Sequence, residues 1–399
     1  MESTAQKQSI RSILWHLSGL SLTATGMIVL LCFAAQHIAG WYFKPPVTRV
    51  GAPNHDGICF VLNDATTGVR GVPNCQYENM SREFGDVHYR FDANGYRNPV
   101  AMDQLDPRAF RIVMTGSSIA FGDFVSEGNS LAALLPRQLT RETGRPVELY
   151  NEGLPFGFAD SIALRYGDVL ATMPDIVLWI LTPYDVKYAP QVMLPHLKPM
   201  SASLIKDKIL RCLKHEPGST TCAQSAAGYV ETTRAGYALR YLANESQTEF
   251  VKSYLDGPDD EQGFLKADPS NLWRENLLHV DRDAKQIEEQ TLARGIPLVA
   301  VYLPNRAQAD MIATGVWPSG YDPFWLDRRL RSIVTSHGGT YLDILPSMEG
   351  AASADRDFLP VDGHPNAQGH ALFARLIAQQ LTSGIIPALR AQQPVGKEQ

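Results

Sequence analysis

Strand and candidate catalytic patterns meet in the sequence Arg111-Ile-Val-Met-Thr-Gly-Ser-Ser-Ile-Ala-Phe-Gly122. Its apolar run from Ile112 to Met114 is typical of a buried strand, and Gly116 ends that run before a helical pattern begins near Leu131. Ser118 therefore lies at a strand-to-helix junction, where the helix dipole favours the negative charge that develops when a serine attacks an ester. Ser118 is a candidate nucleophile. The alternative is that Ser117 or Ser118 serves only as a helix N-cap.

A second polar sequence, Asp362-Gly-His-Pro-Asn-Ala-Gln-Gly-His370, lies near the C-terminus. A serine hydroxyl becomes a good nucleophile when a base takes its proton, and the base works best when an acid fixes its tautomer. His364 and Asp362, two residues apart, could supply the base and the acid. Together with Ser118 they form a candidate catalytic triad.

These two sequences resemble the first and last blocks of the SGNH, or GDSL-type, esterase and acyltransferase superfamily. Its serine block places a glycine four residues after the nucleophile, as Ser118 and Gly122 do, and its closing block is Asp-x-His or Asp-x-x-His followed by Pro-Asn and Gly-His. The resemblance implies an acyl-enzyme on Ser118, with His364 as base and then acid and Asp362 as its orienting partner. The spacing differs from the Gly-x-Ser-x-Gly elbow of α/β-hydrolases, so that fold is not implied.

The resemblance also implies an oxyanion hole. The family's second block is an Asn followed by a turn whose glycine N–H enters the hole, and here either Gly153 or Gly157 could match it. The family's third block provides an Asn side chain as a further donor, but this chain has Tyr184 at that position. A missing donor costs about 3 kcal/mol of transition-state stabilisation. Either Tyr184 or another group replaces it, or the site is weakened.

The sequence Tyr89-Arg-Phe-Asp-Ala-Asn-Gly-Tyr-Arg97 is similar to a lead-in that precedes the serine block in anchored members of the superfamily. A turn at Asn94-Gly95 between two short strands explains the same pattern.

A long apolar segment occupies residues 13–35, and its roughly 23 residues could cross a bilayer core of about 30 Å. Lys7 and Arg11 precede it and Trp41 with Tyr42 follow it, which predicts a single-pass anchor in the inner membrane with a cytoplasmic N-terminus and a periplasmic main domain. A cleaved signal peptide is the competing interpretation, because a small-residue site ends at Ala34. The apolar segment is long for a signal peptide, which favours the anchor.

The composition excludes some classes of partner and site. A formal net charge of −6 and the lack of a basic cluster argue against nucleic acid.

Four of the five cysteines follow the apolar segment, and export favours the pairs Cys59–Cys75 and Cys212–Cys222 among three pairings, with free thiols as the alternative. No cysteine spacing resembles a zinc site. We expect neither a metal nor a cofactor.

Alternating strand and helix patterns after residue 100 predict an α/β fold, a three-layer α/β/α arrangement with a parallel sheet and active residues at the carboxyl ends of its strands. We divide the chain into a tip and anchor (1–45), a membrane-proximal linker with small elaborations (46–100), a main domain (101–385) and a tail (386–399). An insertion at about 188–270 interrupts the main domain. Strands are expected at 146–151, 174–181, 297–303 and 340–344, and helices at 131–140, 278–293, 325–336 and 372–381.

The sequence therefore predicts a membrane-anchored serine esterase or O-acyltransferase. Family resemblance implies an ester substrate, and the predicted export points to an acylated carbohydrate of the cell envelope, with a membrane acyl-donor protein as a candidate partner. Hydrolysis and transfer are not separated, since water exclusion and pocket shape choose the acceptor. The alternative function, favoured by Tyr184, is a weakened or inactive protein of the same fold that binds or assembles an envelope complex.

Overall fold

A five-stranded parallel sheet forms the centre of the main domain in the computed structural model. The strand order is β10-β9-β8-β6-β7, and every neighbouring pair is parallel. All six side chains of β8 are buried, as expected for a strand covered by helices on both faces. The five strands are β6 (Phe110–Gly116), β7 (Val147–Asn151), β8 (Ile176–Leu181), β9 (Leu298–Tyr302) and β10 (Thr340–Leu342).

The structure describes residues 26–27, 30–40, 47–50, 59–64, 66–81, 83–99, 102–189, 233–257, 260–350 and 354–390. The chain divides into two compact units, one formed by 1–45 and 200–242 and the other by 46–199 and 243–399. In the first unit, a helix at residues 30–40 (α1) carries Gln36, whose side-chain oxygen accepts the N–H of Ala235 at 3.0 Å. This helix exposes Leu30, Leu31, Phe33 and Ile38.

Helices cover both faces of the parallel sheet. The chain moves from β6 to β7 in one direction and from β7 to β8 in the other, so right-handed crossovers place the connecting helices on opposite faces. In agreement, α3 packs on α12, whereas α4 packs on α8, which in turn contacts α10. The α-helices after α1 are α2 (Ser118–Phe121), α3 (Leu131–Thr143), α4 (Ala159–Ala171), α5 (Pro183–Lys187), α6 (Arg234–Asn244), α7 (Gln247–Leu255), α8 (Asn271–Leu292), α9 (Arg306–Thr314), α10 (Trp325–Ser336), α11 (Ala354–Asp357) and α12 (Ala367–Gln380).

Within 46–100, the range predicted to be a linker with small elaborations, the described residues include five short strands. Their strands form an antiparallel sheet β1-β4-β5 and a hairpin β2-β3. The predicted disulfide Cys59–Cys75 is confirmed, and it joins the residue before β2 to the residue before β4. The rings of Phe60 and Tyr89 lie 5.6 and 5.5 Å from the ring of Phe121, so this layer packs against α2. These strands are β1 (Val47–Val50), β2 (Phe60–Asp64), β3 (Gly68–Gly71), β4 (Gln76–Ser81) and β5 (Gly85–Arg90).

The predicted elements of the main domain are present with shifted ends. The helix expected at 278–293 begins earlier, at Asn271, and the closing helix begins at Ala367 rather than 372. Two helices that the sequence did not predict, α4 and α9, complete the layers. Of the predicted insertion, the described residues form α6, α7 and a short 3-10 helix at Glu261–Leu265.

Some predictions fall largely or wholly outside the described residues. Cys212 and Cys222 are among them, so their disulfide stays a prediction. Most of the apolar segment at 13–35 also lies outside. Within the described ranges, no helix combines the length and apolar character that a membrane crossing requires.

Candidate active site

The serine junction is shaped by two glycines. Gly116 ends β6 with φ +153, and a Cβ at this position would lie 2.8 Å from the carbonyl oxygen of Ile180, so only glycine fits there. Helix α2 begins at Ser118 and ends after one turn at Gly122, which adopts the left-handed conformation. Ser117 is the N-cap residue, but its side chain makes no capping hydrogen bond. The structure therefore does not give Ser117 the side-chain N-cap role.

The structure brings Ser118, His364 and Asp362 into one hydrogen-bonded chain. The Ser118 Oγ lies 2.7 Å from His364 Nε2, although the two residues are 246 positions apart. On the other side of the ring, His364 Nδ1 lies 2.5 Å from Asp362 Oδ1. The same carboxylate oxygen accepts the backbone N–H of His364 at 3.1 Å. This connectivity lets the hydroxyl of Ser118 donate to Nε2 while Nδ1–H donates to the carboxylate.

A closed backbone loop holds the acid and the base. Phe358 and Pro365 form an antiparallel bridge, and Leu359 donates its N–H to the carbonyl oxygen of His364 at 2.8 Å. Gly363 takes φ +84 at the tip, between Asp362 and His364. The tight loop fixes the direction in which both side chains leave the backbone.

Acidic groups around the imidazole set its proton affinity. Burial by itself lowers the pKa of His364, but the charge and hydrogen bond of Asp362, with smaller effects of Asp123 and Glu83, outweigh it, so the pKa is raised. Asp123 follows Gly122, accepts the hydroxyl of Tyr89 at 2.9 Å, and has its own pKa raised by burial. The environment therefore stabilises an imidazolium, the state that a serine mechanism forms transiently.

The predicted oxyanion glycines have other partners. Gly153 donates its N–H to Asn151 Oδ1 at 2.9 Å, and Gly157 donates its N–H to the carbonyl oxygen of Leu154, also at 2.9 Å. This differs from the expectation that one of these amides enters the oxyanion hole. A Cβ on Gly153 would lie 2.5 Å from the backbone nitrogen of Phe121. The glycine at this position is required because the turn after β7 presses against α2.

Tyr184 lies in α5, directly after β8, and its ring stacks on Tyr188 with centroids 6.0 Å apart. Burial raises its pKa, and Lys187 Nζ lies 5.9 Å from the centre of its ring. The neighbouring Asp185 accepts the N–H and the hydroxyl of Thr182, each at 2.8 Å, and so caps α5. Burial raises the pKa of Asp185 to about 7. Thr182 and Asp185 therefore stabilise the first turn of α5.

The lead-in sequence and the residue that follows it, Asn98, make supporting contacts that were not predicted from the sequence. The guanidinium of Arg97 is buried, donates to the carbonyl oxygens of Gly122 and Val125, and lies over the Tyr89 ring at 4.5 Å. Asn98 exchanges two hydrogen bonds with the backbone of Asn151, at 3.1 and 2.7 Å. Arg97 and Asn98 together therefore tie the loop after β6 to the end of β7. The alternative is met only in part: Gly95 takes φ +84 in a turn after β5, but the described residues that follow form no second strand before β6.

A buried carboxyl–guanidinium pair lies next to these loops. Glu152 and Arg165 approach to 3.7 Å, and Arg165 also donates to Thr115 Oγ1 at 3.2 Å. Burial raises the pKa of Glu152 to about 8.

His370 of the closing block is also buried, and its Nδ1 accepts the N–H of Leu131 at 3.1 Å. Because burial lowers the pKa of His370 to about 3, it is a neutral structural residue that anchors the start of α3.

The described residues contain no group of three or more His, Cys, Asp and Glu arranged to hold a metal ion.

Comparisons with known proteins give distant structural similarity alone. No family model matches the chain. No curated protein matches it either. Among solved structures, a catalytic mutant of Axe2, an acetylxylan esterase from Geobacillus stearothermophilus, is 12% identical, with 68% of this chain and 93% of that chain covered and a TM-score of 0.37. TesA is 11% identical, with coverage of 70% and 99% and a TM-score of 0.38. A lipase/acylhydrolase from Enterococcus faecalis is 13% identical, with coverage of 68% and 94% and a TM-score of 0.34. The α/β fold accordingly rests on the strand order and register of the chain itself.

Proposed function

We propose that this protein is a serine ester hydrolase or O-acyltransferase of the SGNH type that works through an acyl-enzyme on Ser118. The observation that carries the proposal is the continuous contact from Ser118 Oγ through His364 to Asp362, with both distances inside hydrogen-bonding range. Three residue types in this order, at the carboxyl end of a parallel strand, are arranged for acyl transfer.

In this mechanism His364 Nε2 accepts the proton of Ser118 as its Oγ attacks the ester carbonyl. Asp362 holds Nδ1–H and stabilises the imidazolium, which then protonates the leaving alkoxide. Water or a sugar hydroxyl, deprotonated by His364, attacks the acyl-enzyme and releases Ser118. These steps need the neutral imidazole at the start, so activity should rise as pH increases through the raised pKa of His364.

The developing oxyanion needs donors near Ser118. The backbone N–H of Ser118 lies in the first turn of α2, where a helix has no internal acceptor to offer it, and the helix dipole points the same way. We assign it as one donor. Gly153 supports this geometry by its close contact with α2. Tyr184 is assigned to packing, because its ring stacks on Tyr188.

The substrate in this proposal is an acyl ester, with an O-acetyl group on an envelope carbohydrate as the first choice. The disulfide Cys59–Cys75 supports a location outside the cytoplasm, since disulfides persist in oxidising compartments. The apolar side chains exposed on α1 support a membrane anchor. Reporter fusions after Gln399 test the topology: an active periplasmic reporter is expected, and an active cytoplasmic reporter would remove both the topology and the envelope substrate.

Fluorophosphonate labelling of the full chain in detergent tests the catalytic proposal. Wild type and Ser117→Ala should be labelled, and Ser118→Ala should not. Ser117→Ala is a matched control because it removes the adjacent hydroxyl, which makes no capping hydrogen bond. His364→Ala should label at least about 100-fold more slowly, because the base is lost. If wild type remains unlabelled and does not hydrolyse p-nitrophenyl acetate, the protein is instead a binding or assembly protein of this fold.

A further inference from the structure

The peptide unit between Pro360 and Val361 is held at both of its polar ends. Arg306 donates from its guanidinium to the carbonyl oxygen of Pro360 at 2.8 Å. Glu83 Oε1 accepts the N–H of Val361 at 2.6 Å and the N–H of Asp362 at 3.2 Å. We propose that Glu83 and Arg306 are positioning residues that clamp this peptide and thereby fix Asp362 and His364 in register with Ser118; the inference rests on the catalytic function proposed above.

The Arg306 side of the clamp is rigid. The side chain is buried and lies over the ring of Phe250 at 4.0 Å. A second branch of the guanidinium donates to the carbonyl oxygen of Asn244, at the end of α6, and Asp310 lies 3.9 Å from its Nε. A planar, buried guanidinium with fixed partners can hold a carbonyl oxygen in one place.

The Glu83 side comes from a distant part of the sequence. Glu83 lies in the turn between β4 and β5, 278 positions from Val361. The next residue, Phe84, packs on Phe124 with ring centroids 4.9 Å apart, and Phe124 in turn meets the His364 ring edge-on at 5.1 Å. The turn that contains Glu83 and Phe84 therefore contacts the backbone of the loop that carries Asp362 and His364. It also reaches the imidazole of His364 through one aromatic ring, that of Phe124.

Clamping this peptide matters because Asp362 is the next residue along the chain. A misplacement of about 1 Å in a catalytic group can cost about 100-fold in rate. Glu83 also acts through charge, since Asp362, Asp123 and Glu83 are the acidic groups that face His364. Loss of the hydrogen bonds should lower kcat, whereas loss of the charge alone should shift the acidic limb of the pH profile.

Two substitutions of Glu83 separate these effects in the full chain, with p-nitrophenyl acetate as substrate. Glu83→Gln keeps a side-chain oxygen for both amides, so kcat at the pH optimum should stay within about 3-fold of wild type while the acidic limb moves to lower pH. Glu83→Ala should lower kcat about 30-fold or more with little change in KM. Glu148→Ala is the matched control, because that carboxylate also accepts a backbone N–H, from Asp106 at 2.8 Å, outside the loop.

Arg306 is tested in the same way. Arg306→Met should lower kcat about 10-fold or more, and Arg306→Lys, which can reach one carbonyl oxygen, should recover part of the loss. Arg111→Met is the control, since Arg111 donates to the carbonyl oxygen of Thr172 at 2.9 Å. Because Glu83 and Arg306 hold one peptide, the double variant Glu83→Ala/Arg306→Met should lose less than the product of the two single losses.

Hydrogen exchange of the peptide 359–364 tests the clamp without any turnover. Exchange should be faster in Glu83→Ala and Arg306→Met than in wild type, and unchanged in Glu148→Ala. If the clamp variants exchange like wild type, or match their controls in kcat and pH profile, the clamp is refuted. A wild type without esterase activity but with protected 359–364 amides would instead overturn the catalytic function and leave the structural clamp standing.

Discussion

Gly153→Ala is the sharpest perturbation that the site offers. The added Cβ would lie 2.5 Å from the nitrogen of Phe121, 2.7 Å from the carbonyl carbon of Ala120 and 2.8 Å from its Cβ. Carbon contacts are optimal at about 3.5–4.0 Å, so α2 and the turn after β7 must separate by about 1 Å. Two of the three atoms belong to the backbone of the helix that begins at Ser118, so the nucleophile has to move with it.

The magnitude follows from this displacement. Overpacking of a close contact costs about 1–3 kcal/mol of the free energy of unfolding. A shift of about 1 Å at Ser118 should lower kcat/KM about 100-fold, equivalent to about 2.7 kcal/mol of transition-state stabilisation. The loss should appear in kcat rather than in KM.

The assay combines urea unfolding with turnover of p-nitrophenyl acetate, and two other Gly→Ala substitutions serve as controls. In Gly157→Ala the added Cβ would lie 3.0 Å from the carbonyl oxygen of Leu154, so this substitution should have a milder effect. Gly167→Ala in α4 meets nothing within 4 Å and should stabilise the helix by up to about 1 kcal/mol without affecting activity. A Gly153→Ala protein with wild-type kcat/KM would show that this contact does not position Ser118.

Three further predictions follow from the site. Asp362→Asn should lower kcat by about 10³–10⁴-fold and move the acidic limb of the pH profile to lower pH, because Asp362 raises the pKa of His364. The stability that this raised pKa provides is present below the pKa of the unfolded state and is lost as pH rises through the pKa of the folded state. Urea unfolding of wild type and variant should therefore differ most at acidic pH. An unchanged limb would contradict this assignment. Replacing both Cys59 and Cys75 by Ser should reduce the free energy of unfolding by about 3 kcal/mol, and equal urea midpoints for the oxidised wild type and the variant would contradict this. Tyr184→Phe should change kcat less than about 3-fold, because Phe keeps the ring that stacks on Tyr188; a 100-fold loss would identify the hydroxyl as an oxyanion donor.

Local sequence patterns predicted those elements whose patterns are unambiguous. The apolar runs of β6 and β8 are buried strands, and Ser118 follows β6 as predicted. Asp362 and His364 lie in the loop before α12, where their hydrogen bonds reach Ser118. Helix α4 was not predicted, because Ser161, Arg165 and Tyr166 are buried on its packed face and hide the apolar period. Helix α9 is buried nearly throughout, although it includes Arg306, Gln308 and Asp310. It was not predicted because these residues give the segment a polar pattern.

The roles of glycines and charged residues depended on tertiary contacts that no local pattern encodes. Gly153 resembled an oxyanion donor, but its amide is donated to Asn151 and its missing Cβ accommodates α2. Glu83 lies in a region predicted to be a linker, and its partner Val361 is 278 positions away. Such a pairing cannot be derived from spacing. The apolar segment at 13–35 and the pair Cys212–Cys222 remain predictions.

The long separation of the triad also bears on the order in which the protein folds. Synthesis makes Ser118 long before His364, which follows it by 246 positions, and Glu83 precedes its loop partner by 278. Contacts between residues so distant in sequence form late, after local elements have collapsed, because closing the intervening chain costs entropy. Nascent or C-terminally truncated chains would thus carry an unactivated serine. Esterase competence would then appear only once both ends of the domain have been made and joined.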